Sequence, residues 1–205
     1  MYTSLVATSE TLRQLIEDNM AADVGPGGLA NFFSAANRVV SLATPEEMAG
    51  RQQGLSLWLY RVVRDEHRLN DPPVLRPRPT GRVDLVPPPL PLRLHYLATP
   101  LTRSSPDTEQ RILGRVLQLF HSQPIVSGAA LRGDLAGTDA EIHVRLEALS
   151  LEEITRVWEA LEGSYQLSVS YEVSLARIES IEPPLRASLV ESAHPDVAPI
   201  VERGA

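Results

Sequence analysis

Eight of the 17 prolines fall between Asp71 and Pro91, at positions 72, 73, 77, 79, 87, 88, 89 and 91. Proline lacks a backbone donor and fixes φ, so this stretch predicts neither a helix nor a central strand. It reads as a loop, partly polyproline-like. The segments on either side read differently. Leu55 to Val63 (LSLWLYRVV) is β-branched, aromatic or Leu with almost no polar face, the composition of a largely buried strand. Leu92, Leu94 and Tyr96 alternate with Arg93 and His95, the pattern of a strand with one face buried and one wet.

The same two periods organise the rest of the chain. Leu5, Leu12, Leu15, Ile16 and Met20 recur at helical spacing between Thr3 and Ala21, with Arg13, Glu17 and Asp18 opposite, until Gly25-Pro26-Gly27-Gly28 breaks the helix. Leu29 to Phe33 is a small apolar patch, and Arg38 to Leu42 a short strand. Ser105-Pro106 supplies an N-cap and a proline at the first helical position. Asp107 and Glu109 suit the positive end of the helix dipole, and Ile112, Leu113, Val116, Leu117 and Phe120 share one face, predicting a helix over about 106–122. Gly128 to Ala140 reads as loop. Ile142, Val144 and Leu146 alternate with His143, Arg145 and Glu147 as another strand. Ser150 to Glu153 is a capping box opening a helix that Ile154, Val157, Trp158 and Leu161 face inward and Gly163 stops. Gln166 to Ile178 is a long strand with a serine-rich polar face. Beyond Glu182 the tail has little periodicity but keeps Leu185, Leu189, Val190, Val197, Ile200 and Val201, apolar residues that a free arm gains nothing from exposing.

Composition removes several function classes. With 43% apolar and 22% charged residues over 205 positions, the chain is an ordinary globular one. It has no Cys, which excludes disulfides, thiolate nucleophiles, zinc fingers and iron–sulfur clusters. All 19 basic residues are Arg, which excludes a phosphate-loop lysine and Schiff-base chemistry. A net charge of −7 argues against nucleic acid as the main ligand. No signal peptide and no apolar run long enough for a bilayer is read, so a cytoplasmic chain that does not touch membrane is expected. The charge is uneven. Arg61 to Arg93 holds seven Arg against Asp65, Glu66, Asp71 and Asp84, a local +3 that leaves −10 for the remainder.

No catalytic or metal constellation follows from spacing. The five histidines, at 67, 95, 121, 143 and 194, have no pair at metal-ligand spacing. His121 suits a helix C-terminus as a cation against the dipole. The adjacent pairs Glu46-Glu47 and Glu152-Glu153 do not face one another on a helix, and Trp58 and Trp158 read as core. An enzyme would need a polar pocket assembled from His95, His143 and Glu172, which the alternation puts on outward strand faces. Arg76-Pro77-Arg78-Pro79 reads either as a solvated loop or as a docking segment.

Three blocks carry a resemblance: PPLPLRLHYL at Pro88 to Leu97, EQRILGRVLQLFHSQP at Glu109 to Pro124, and LSLEEITRVWEALEGSYQLSVSYEVS at Leu149 to Ser174. In order and spacing the chain resembles the cap, or tube-terminator, proteins of contractile injection systems, over most of residues 1–180. That resemblance implies an α/β subunit of a hexameric ring that ends the inner tube of a phage-tail-like particle and holds its last sheath layer. It implies inner-tube and sheath proteins as partners, no active site, no cofactor, and assembly in a bacterial cytoplasm before the particle acts inside or outside its cell.

The expected fold is α/β (α+β): a mixed, mainly antiparallel sheet flanked by about three helices, with a tail-terminator-like domain over 1–180, its basic loop at 71–91, and a C-terminal arm over 181–205. The expected contacts are Arg76, Arg78 and Arg82 in the loop and Leu185, Leu189, Val190 and Ile200 in the arm. The competing expectation is a monomeric adaptor domain, not an enzyme, that binds a protein partner through the same Pro/Arg-rich loop.

Overall fold

The computed structural model describes residues 2–68, 72–77, 82–102, 105–178 and 185–188. It divides into two compact units, Met1–Asn70 with Pro89–Glu179, and Asp71–Pro88 with Ser180–Ala205. In the first unit the elements run α1 (Ser4–Ala21), α2 (Ala30–Phe33), β1 (Arg38–Ser41), α3 (Pro45–Met48) and β2 (Gln53–Arg64). In the second unit come β3 (Val74–Pro77) and β4 (Arg82–Val86). The first unit resumes with β5 (Leu90–Leu101), α4 (Pro106–Ser122), β6 (Ile125–Ser127), β7 (Glu141–Glu147), α5 (Leu151–Ala160) and β8 (Val169–Ile178), and β9 (Leu185–Ser188) returns to the second.

The large sheet has strand order β1-β2-β5-β8-β7-β6. Only β1 and β2 are parallel, joined through the single turn of α3; every other neighbour is antiparallel. This is the expected mixed, mainly antiparallel sheet, and its three long helices are those the sequence patterns gave. Gly54 makes the parallel pair possible: its φ is +124°, and a Cβ there would run into the Val39 backbone.

One face of the sheet carries the main core. Leu12, Ile16 and Met20 of α1 and Ile112, Val116, Leu119 and Phe120 of α4 pack on Leu55, Leu57, Leu94, Tyr96, Ala98, Val144, Tyr171 and Val173. The helix α1 also turns hydroxyls inward. Thr8 and Thr11 donate to the carbonyls of Ser4 and Ala7 one turn back, Ser9 meets the Tyr96 hydroxyl at 2.8 Å, and Arg132 N donates to Thr11. Buried hydroxyls satisfied this way carry little penalty. On the opposite face α5 covers one end with a smaller cluster of Leu97, Ile154 and Trp158, joined by Trp58 and Tyr60. Among the described residues no helix is long and apolar enough to cross a membrane.

The second unit corrects the reading of 71–91 as free of a central strand. There β3, β4 and β9 form a three-stranded antiparallel sheet with β4 in the middle. The prolines bracket β4 without entering it, and Pro77 ends the edge strand β3. Pro91 lies within β5 beside a register shift, and its carbonyl accepts from Asp65 N at 3.0 Å. The tail likewise contains a strand where none was expected.

Other differences are local. Leu29 to Phe33 holds the short helix α2 instead of an unassigned patch. Gly128 to Ala140 includes two 3₁₀ turns, at Gly128–Ala130 and Gly133–Leu135. The predicted strand 166–178 begins at Val169, because Ser168 serves a turn, accepting from Trp158 Nε1 and donating to Gln166 O.

Candidate functional site

The face of the large sheet opposite α1 and α4 concentrates the polar side chains, for a geometric reason. Alternate residues of β2, β5, β8 and β7 point there, and the ladder aligns them in rows. Leu97 lies opposite Ser170 and Glu147, His95 opposite Glu172 and Arg145, and Arg93 opposite Ser174 and His143. On β2 the alternation that turns Leu57 and Leu59 to the core brings Trp58 and Tyr60 to this face, and the bulge between Leu59 and Arg61 sets Arg61 opposite His95.

The row nearest α5 is a closed hydrogen-bonded network. The Glu147 carboxylate lies 3.1 Å from His95 Nδ1 and accepts from Ser170 Oγ at 2.7 Å and Tyr60 Oη at 3.2 Å. Partial burial works to raise the Glu147 carboxyl. The hydrogen bond from Ser170, that from His95, the His95 charge and the bond from Tyr60 outweigh it and hold the group below the usual carboxylate range. Tyr60 is shifted up, first by burial and then by the neighbouring Glu147 charge, against the Ser170 hydrogen bond. The imidazole is only 4% exposed, and its Nε2 has no hydrogen-bond partner.

Farther from α5 the face opens into a cleft of about 490 Å³, lined by Asp65 and His67 after β2, Arg93, Glu172 and Ser174, His143 to Arg145, and Pro124 and Ile125. Its charges interlock. Arg93 reaches Glu172 at 3.2 Å and Asp65 at 3.8 Å, Arg145 pairs with the same Glu172, and His143 lies 3.5 Å from Glu141. Among the described residues no cluster of three or more His, Asp or Glu could hold a metal ion.

The structure brings the three residues that the enzyme reading required onto one face, with His95 directly across from Glu172, but not into one pocket. His143 and Glu172 line the cleft, whereas His95 is buried beside Glu147. The expectation that His95 points to solvent is corrected: it is buried against Tyr60 and Glu147 of the neighbouring strands. Glu147, Tyr60, Arg93 and Arg145 escaped the sequence reading. Their signal was the alternation itself: each occupies the polar parity of its strand. Of the expected contacts, Arg76 falls on β3, Arg82 on β4 and Leu185 on β9. Arg78, Leu189, Val190 and Ile200 lie outside the described residues.

Comparison with known proteins places the fold. The chain resembles the sheath/tube terminator of PVC, an extracellular contractile injection system, solved in the extended state. Identity is 17%, the TM-score 0.56, and the match covers 93% of this chain and 64% of that one. It also resembles the tube-terminating cap of the anti-feeding prophage, at 16% identity and TM-score 0.59, covering 90% of this chain and 59% of that one. The chain therefore spans about six-tenths of the length of each. No curated protein matches. Residues 7–192 match the family described as the Pvc16 N-terminal domain, reaching past the 1–180 of the sequence resemblance. The chain belongs to the Pvc16 N-terminal domain family.

Proposed function

We propose that this chain is a structural, non-enzymatic subunit of the cap that ends the inner tube of a bacterial contractile injection system, working as a hexameric ring that also holds the last sheath layer. The observation that carries the reading is the family match over residues 7–192, supported by a fold shared with two solved caps. A ring arises when one heterologous interface is repeated by a rotation that closes, and it presents one face of every subunit to the tube. The arms of this contact are the basic segment 71–91, with Arg76, Arg78 and Arg82, and the tail 183–203, with Leu185, Leu189, Val190 and Ile200. The inner-tube and sheath proteins are the partners, with assembly in the bacterial cytoplasm.

The test is a particle preparation from cells whose sole copy lacks residues 183–205. The proposal expects a broadened distribution of tube lengths or loss of the terminal sheath layer in electron micrographs. Particles of unchanged length with an intact end would contradict the assigned role of the tail.

A further inference from the structure

We infer that the open cleft on the second face of the large sheet is a docking site for an acidic, extended segment of a partner protein. The inference rests on the reading of this chain as an assembly subunit, and it adds a surface and a partner chemistry to it. The charges of the cleft are sorted by depth. The carboxylates sit at the floor, with side-chain exposures of 8% for Asp65 and 13% for Glu172, while the guanidinium groups rise toward the mouth, Arg93 at 26% and Arg145 at 75%. The floor carboxylates are already committed to Arg93 and Arg145, so an incoming segment meets the guanidinium groups first, Arg145 above all. Glu141, beside His143 and 59% exposed, opposes this at one rim. In a chain of net charge −7, a mouth led by cations selects an acidic partner against most of the remaining surface.

The shape selects an extended segment. Pro124 and the half-exposed Ile125 form an apolar wall beside the charges. Ile125 opens the outermost strand, β6, which no described strand covers on its far side. Val144 N donates to Pro124 O, which fixes the ladder parity. The N–H and C=O groups of Ile125 and Ser127 therefore point away from β7, toward whatever strand approaches. An extended segment can bond to this edge with its backbone and place alternate side chains, acidic and apolar, against Arg145 and Ile125.

The test uses the purified full chain and a fluorescein-labelled peptide of alternating Glu and Leu, followed by fluorescence anisotropy, with an alternating Lys and Leu peptide as comparison. Binding of the acidic peptide should exceed that of the basic one and weaken as salt rises. Arg145→Glu should reduce affinity about tenfold or more, and Ile125→Asp should act in the same direction. Arg145→Gln removes the charge with less disturbance and should give a smaller loss. Arg111→Glu, on α4, should bind like the unaltered chain. Absence of acidic-peptide binding, a loss as large in Arg111→Glu, or full affinity in both Arg145 variants would overturn the inference. Because the assay needs no particle, failure here leaves the capping proposal to be judged separately.

Discussion

Glu147 shows how much one residue settles on this sheet. It collects hydrogen bonds from three other strands, Tyr60 on β2, His95 on β5 and Ser170 on β8. Replacing it with Gln keeps the volume but removes the charge that these donors share, and should destabilise the fold by roughly 1–3 kcal/mol in urea unfolding near neutral pH. The pH dependence has a definite sign. A carboxyl whose folded pKa is depressed stabilises fully above its unfolded pKa, about 4.3 for Glu, and that contribution is lost as pH falls through the folded value. The unaltered chain should therefore lose stability more steeply on acidification than Glu147→Gln, and parallel curves would contradict the role given to this carboxylate. Parity told which side chains share a face with His95. It did not tell which of them are dry, because that depends on how strands distant in sequence pack beside them.

Elements were legible in proportion to the local signals that define them. The predicted span 106–122 is the observed α4, since the Ser105 hydroxyl accepts from Thr108 N, Pro106 sets the first turn, and five apolar residues fix one face. Ser105→Ala should cost about 1 kcal/mol of stability in thermal or urea unfolding. No measurable change would contradict the capping argument. The helix α5 also starts at its capping box, but its left-handed turn falls on Glu162 at φ 55°. The next residue, Gly163, lies against the Glu46 carboxylate, a flexible side-chain end that would have to shift for a Cβ there. That contact joins residues far apart in sequence, so the glycine was read for the wrong reason. Short strands were the main losses: β6 has three residues, and β4 was hidden by the prolines around it. The outer edge of β2 beyond Ser56 lacks a described partner, and its bulge and the exposed Arg61 and Arg64 discourage unplanned pairing there.

At the scale of the whole molecule, fold class and family were within reach of the sequence because both are spread over many positions. The alternating strands, two capped helices and three resembling blocks all point the same way. The two-part organisation was less accessible. Strand β9 pairs with β4 across about a hundred residues, a contact that no local pattern encodes. The candidate site depended on a similar long-range event, the meeting of four strands and a helix in one polar face. The central claim is that this chain sits at the end of a particle's inner tube. Electron microscopy of intact particles carrying a gold-labelled N-terminal tag on this chain tests it most directly. The account predicts label confined to one end of each particle, at the tip of the tube and against the last sheath layer. Label distributed along the shaft, or particles consistently without it, would contradict the account.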